Sequence, residues 1–296
     1  MLGNMIANTF INPFQSPVFD DPTNYDLDYE NVTFSASDGV SLSGWLIKGS
    51  NNKVIIQSHF GVQCSRSGYR PKGWMKGYDK DIEFLRQAKY LNEAGYTVLM
   101  YDFRNHGNSG MGIVPYITWG QEEGKDVIAA VNYISSHPDY REAAIGLLSI
   151  CMGQGASVAA FGNDEGLQQF PNLKTMISVQ PMDYDCFVKA LGLPGFWVKS
   201  TSKAIQKRTN RDFSAISWRP FVKDVTVPTL VIQNRNDGYL DEAFINEFYT
   251  DLNVEKEMLW LDIPKKKGGD FPNRAAAYDW LGENPDPILD WFDRLI

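Results

Sequence analysis

Cysteine is scarce in this chain, with only Cys64, Cys151 and Cys186 among 296 residues. So small and odd a set excludes a disulfide framework and fits a reducing, cytoplasmic compartment. No stretch of 18 consecutive apolar residues occurs, so no membrane helix is expected. The segment Met1 to Asp20 has neither a basic start nor a continuous apolar centre, so no secretory leader is expected either. Basic charge is short as well: 28 Lys+Arg against 36 Asp+Glu give a net charge of −8, and no basic cluster stands out. A nucleic-acid partner is therefore excluded, because phosphate binding needs a concentrated cationic face. Metal-ligand spacings and a dinucleotide glycine fingerprint are also missing, so no metal and no cofactor are expected. Histidine is limited to His59, His106 and His137. What remains is an ordinary acidic globular composition suited to a small-molecule substrate.

Six short apolar runs recur along the chain: Lys53 to Phe60, Tyr96 to Phe103, Ala143 to Ile150, Leu173 to Gln180, Pro228 to Asn234 and Glu257 to Ile263. Their length and their apolar character on both faces predict buried strands. Helix-period segments lie between them, as in Asp81 to Ala94, where Ile82, Leu85, Ala88 and Leu91 share one face; others are Gln121 to Ser135, Glu242 to Leu252 and Pro287 to Ile296. This alternation predicts an α/β fold, a mostly parallel central sheet with helices on both faces. An antiparallel hairpin opens it, Val32 to Ser37 and Val40 to Ile47 around Asp38-Gly39. Residues 1–30 read as an irregular N-terminal arm, and residues 31–296 as a single domain. A small helical cap insertion around 183–225 carries Phe196, Trp197 and Trp218.

The sharpest motif is Ser149-Ile150-Cys151-Met152-Gly153, placed where a buried strand gives way to the small-residue helix Ala156 to Ala160. A nucleophile on a strand-to-helix turn needs small residues two before and two after it, because neighbouring backbone passes close by. Ser149 and Gly153 satisfy that around Cys151, whereas centring on Ser149 would place Leu147 and Cys151 there. The helix start also favours a thiolate through its free N–H groups.

Together with Ser58-His59-Phe60-Gly61, Tyr101 to Gly110 and Pro228 to Asp237, this turn resembles the α/β-hydrolase superfamily. Its cysteine-centred elbow is similar to that of dienelactone hydrolases. The resemblance covers roughly residues 30 to 296 and implies the α/β-hydrolase fold. It further implies an oxyanion hole from the backbone of Met152 with Phe60 or Gly61, and Asp237 as the acid, with Asp183 in reserve. One member of the pattern is missing. The superfamily's base is a histidine after the last strand, yet residues 238–296 contain none, and Lys265, Lys266 and Lys267 stand in that region as solvated loop charge. His59, at the tip of its strand, is the candidate substitute; His106 is read as bracing the adjacent loop and His137 as a helix-end residue.

Three functions fit. The first is hydrolysis or acyl transfer from an ester, lactone or thioester of a small, partly apolar metabolite through Cys151, with an incomplete triad. The second is a non-covalent lyase, cyclase, isomerase or decarboxylase on the same fold, and the third a ligand-binding pseudo-hydrolase without turnover. Tyr69, Trp74, Phe196, Trp197 and Trp218 are expected to close an aromatic pocket, with Cys64 and Cys186 at its rim. Arg66, Arg70 and Lys72 are candidates for a substrate carboxylate. The aromatic N-terminal arm is a candidate surface for a homodimer.

Overall fold

The computed structural model describes residues 2–12, 16–61, 64–70, 81–267 and 269–296. Its strands are β1 (Tyr29–Ser35), β2 (Ser41–Ile47), β3 (Lys53–Ser58), β4 (Gly68–Tyr69), β5 (Ile82–Glu83), β6 (Thr97–Tyr101), β7 (Ala144–Ile150), β8 (Leu173–Val179), β9 (Thr229–Asn234) and β10 (Lys256–Leu261). Its helices are α1 (Leu2–Ile11), α2 (Leu85–Glu93), α3 (Gly124–Ser136), α4 (Met152–Phe161), α5 (Tyr184–Ala190), α6 (Gly195–Thr209), α7 (Glu242–Asp251), α8 (Asp270–Glu283) and α9 (Asp286–Leu295). Eight strands form one sheet in the order β1-β2-β6-β3-β7-β8-β9-β10, while β4 and β5 pair apart from it. The β1–β2 and β2–β6 pairings are antiparallel, and every later pairing in the main sheet is parallel. All six predicted strands lie in this sheet, but β10 is its edge, where only Leu261 is buried, so that strand is not buried on both faces as expected.

Alternation along the central strands divides the core in two. Val54 and Ile56 of β3 pack with Leu147 of β7 beneath α3, α4 and α7, whereas Ile55, Leu148 and Ile150 pack with residues of α2, α8 and α9. In α9 the stripe Ile288, Trp291 and Phe292 is buried, and a Cβ on Gly146 would meet the Phe292 ring at 2.7 Å. That contact brings the helix hard against the middle of β7.

Two expectations need correction. The first thirty residues are not irregular throughout: α1 forms because Ala7, Phe10 and Ile11 make a short apolar stripe that is buried. Phe10 packs edge-on against Tyr184 (5.5 Å) and Phe187 (5.7 Å), so α1 lies on the segment that carries α5 and α6. The hairpin turn is also longer than two residues. Strand pairing ends at Ser35 and Ser41, Gly39 takes φ 85°, and Asp38 is drawn away to Arg104 at 2.7 Å.

Candidate active site

Strand β7 ends at Ile150 and α4 begins at Met152, which leaves Cys151 alone at the turn with φ 52° and ψ −106°. That is not a normal left-handed residue, and a side chain held there stores strain. The surroundings hold it firmly. The Cys151 N–H donates to the Val179 carbonyl at 2.8 Å, and its own carbonyl accepts from the N–H groups of Gln154 and Gly155 at 3.0 and 3.2 Å. Ser149 and Ser157 hydroxyls lie 2.8 Å apart, and Ser157 also donates to the Gly153 carbonyl. A Cβ on Gly153 would sit 2.7 Å from the Ser58 carbonyl oxygen. The small residues at both flanks are thus required by backbone, and Cys151 is left half-buried with its sulfur presented from the turn.

The group facing that sulfur is one the sequence reading missed. Helix α8 follows β10, and one turn into it stands Arg274, only 4% exposed. Its guanidinium donates to Asp237 Oδ2 at 2.6 Å and to the Gln180 carbonyl at 2.7 Å. Asp237 also accepts from Gln233 Nε2 at 3.1 Å and from the Tyr239 N–H at 2.9 Å. Burial works against the arginine charge, but Asp237, with Tyr278 and the Cys151 sulfur, outweighs it and holds the guanidinium well above its ordinary range. Asp237, the carboxylate expected as the acid, is thus paired with an arginine, where the resemblance implied a histidine. One further turn along α8, Tyr278 brings its hydroxyl into the electrostatic neighbourhood of Cys151 and Arg274.

The oxyanion-loop candidates converge on the same point. A Cβ on Gly61 would meet Met152 Sδ at 2.3 Å, and Phe60 stacks on the Tyr278 ring with centroids 5.2 Å apart and an interplanar angle of 15°. As the first residue of α4, Met152 presents an N–H with no intrahelical acceptor.

His59 does not join the group. It is buried, its Nε2 accepts from the Phe103 N–H at 3.1 Å, and its Nδ1 therefore carries the proton donated to the Phe60 carbonyl at 2.6 Å. Burial, then the neighbouring His106, holds its imidazole well below the ordinary value. With both nitrogens committed to backbone, His59 braces the loop and cannot act as a base. His106 makes the same kind of contact, Nδ1 to the Arg104 carbonyl at 2.8 Å.

Other candidates also have structural occupations. Asp183 caps α5 and pairs with Arg219 at 2.5 Å, so it is not a reserve acid. Arg66 is buried against Asp102 and lies over the Trp45 ring at 4.3 Å, and Arg70 pairs with Asp81 at 2.7 Å. Cys64 is fully buried, and burial pushes its thiol well up; Cys186 is buried beside Arg219. Trp218 sits beneath α4, where a Cβ on Gly155 would strike its indole at 2.5 Å, so it is core and not pocket wall. Trp197 is half-buried on α6 with its ring against Phe196, which is 65% exposed. Lys265, Lys266 and Lys267 are exposed. Trp74 and Lys72 lie outside the described residues.

The sequence matches no family model, and no curated protein matches it. Solved structures do resemble it. An esterase from Pyrococcus furiosus, Pf2001, superposes with a TM-score of 0.66 at 22% identity over 95% of this chain and 98% of that one. The fold is that of the α/β-hydrolases. The α/β hydrolase GrgF from Penicillium sp. sh18 aligns with a TM-score of 0.58 at 18% identity over 89% of this chain and 96% of that one. A Pyrococcus horikoshii acylaminoacyl peptidase aligns at 0.55 and 18% over 87% of this chain and 41% of its own. In this structure the turn after β7 carries Cys151, and the helix after β10 carries Arg274. No helix among the described residues is long and apolar enough to cross a membrane.

Proposed function

We propose that the protein is a hydrolase or acyl transferase that uses Cys151 to take the acyl group from an ester, lactone or thioester of a small metabolite. The observation carrying this reading is Cys151 isolated at φ 52° on the strand-to-helix turn with the Arg274 cation beside its sulfur. A fixed cation and a helix start both stabilise negative charge on a nucleophilic sulfur. The Met152 N–H, with that of Phe60 or Gly61, would hold the oxyanion as the sulfur attacks the carbonyl carbon. The cysteine elbow makes a dienelactone-hydrolase-like or thioesterase-like reaction the nearest analogue, and a thiol nucleophile suits a cytoplasmic setting. Homodimer formation through the N-terminal segment, where Met5 of α1 is exposed, is checked by light scattering.

Arg274 also favours a second reading, a ligand-binding pseudo-hydrolase, because a guanidinium cannot take a proton from water. Intact-protein mass spectrometry after exposure to activated esters, lactones and acyl thioesters separates the two, with Cys151→Ala as the reference. An acyl mass on the wild type alone is the expected result. Tight ligand binding with no adduct and no turnover would select the binding protein.

A further inference from the structure

If Cys151 is the nucleophile, the chemistry still lacks a group to move protons, and the histidine position is filled by a guanidinium that holds its own. Two described side chains with a transferable proton lie within electrostatic reach of the sulfur, Cys64 and Tyr278; the Cys64 thiol is fully buried and donates to its neighbour's carbonyl, that of Ser65, which leaves Tyr278. Tyr278 stands one helical turn after Arg274 on α8, on the same face. It is 2% exposed, and its hydroxyl has no well-formed hydrogen bond among the described residues. What the hydroxyl meets is the Cys151 side chain, a weak partner as a thiol.

Its ring is placed with care. Phe60 stacks on one face, Phe84 meets it edge-on at 6.5 Å, and the Tyr278 carbonyl accepts from Gln87 Nε2 at 3.3 Å. Gln87 in turn accepts from Gln57 Nε2 on β3 at 3.0 Å. The ring is thus fixed to the residue expected to form the oxyanion loop, and the hydroxyl to the neighbourhood of the sulfur. Phenylalanine would make both ring contacts, so packing alone does not account for the oxygen at the end of this ring.

We propose, building on the nucleophile reading above, that Tyr278 carries the proton for both halves of the reaction. In the first half, the Cys151 thiolate forms a bond to the carbonyl carbon while the bond from that carbon to the leaving oxygen breaks. Tyr278 gives its proton to the departing oxygen, producing the free alcohol and leaving a tyrosinate beside Arg274. In the second half, water adds to the thioester carbon and gives a proton to the tyrosinate, and the carbon–sulfur bond breaks to return the thiolate and release the acid. Charge is conserved throughout: one negative charge passes from sulfur to phenolate oxygen and back, always beside the same cation. Burial pushes the phenol well above its ordinary value while Arg274 pulls the other way. The resting group is therefore the phenol, and the tyrosinate exists only as the base that acylation creates.

The test is a series of acetate esters of substituted phenols, from p-nitrophenol to the poorer leaving group p-methoxyphenol, on wild type and Tyr278→Phe. Acylation is followed by phenol release and acetyl mass. A leaving group that departs without help needs no acid. The loss in Tyr278→Phe is therefore expected to grow from a few-fold with p-nitrophenol to about 100-fold with p-methoxyphenol, the usual scale of general acid catalysis. The acetyl-enzyme of the variant should also persist about 100 times longer. Wild-type acylation of the poorer ester should slow about two-fold in heavy water, a readout that needs no variant. Equal losses across the series, unchanged rates, or no isotope effect would overturn the proton-carrying role and leave the nucleophile intact. Phenol release undiminished in Cys151→Ala, with no acetyl mass on Cys151 of either wild type or Tyr278→Phe, would instead overturn the nucleophile reading itself.

Discussion

Replacing Cys151 by glycine and by alanine in parallel measures the strain stored at the turn. Both variants lose the thiol, so the contacts of the sulfur cancel and the comparison reports the backbone. At φ 52° and ψ −106° a residue with a Cβ is strained, by about 1–3 kcal/mol on general experience with such conformations. Glycine relieves that strain but gives up about 0.5–1 kcal/mol through the extra freedom of its unfolded chain. The balance makes Cys151→Gly about 1 kcal/mol more stable than Cys151→Ala, in the same direction as the ordinary preference of a helix N-cap for glycine over alanine. Urea unfolding of both under reducing conditions, at equal slopes, reads the difference directly. If alanine proves as stable as glycine, the conformation carries no strain. The argument that the fold holds Cys151 in place for a reason would then fail.

Two further predictions concern the supporting groups. Arg274→Met leaves the Asp237 carboxylate buried without its partner, which should cost about 3–5 kcal/mol; adding Asp237→Asn should recover part of it, and a double-mutant cycle showing simple additivity would deny the pair. Stability should also fall as the pH drops below the ordinary histidine value of 6.5, because His59 stays neutral when folded and takes up a proton when unfolded. The unfolded state then binds more protons, so stability rises with pH in that window. His59→Gln should remove about 1.4 kcal/mol per pH unit of that slope, and a slope unchanged by the substitution would contradict the buried neutral imidazole.

The central strands were readable from sequence because they are short apolar runs buried on both faces, a pattern that the edge strands β1 and β10 do not share. The elbow was readable for a local reason: Ser149, Cys151 and Gly153 meet a steric demand set within five residues. Asp237 was placed by its distance from the end of β9. What escaped was α8. Its chain, Asp270 to Glu283, mixes proline, asparagine and a run of alanines with no strong apolar stripe. Its buried side chains include three with polar groups, Asn273, Arg274 and Tyr278, which break the apolar stripe. Searching the region after β10 for a histidine, and then for lysines, passed over the one cation that is buried. His59 misled for the opposite reason. Its position in the chain suited catalysis, and only three-dimensional structure reveals that the Phe103 N–H and the Phe60 carbonyl occupy both its nitrogens.

The clamp between Asp237 and Arg274 also sets how far this chain stands from a conventional triad in mutational terms. Arg274→His would put a shorter side chain opposite a carboxylate that now meets the tip of the guanidinium, so a small shift of α8 would be needed to bring the ring to it. Some arginine codons differ from a histidine codon by a single base. Random mutagenesis under selection for ester turnover therefore samples Arg274→His early, and its recovery would measure how much of a triad the Asp237 side of this turn can support.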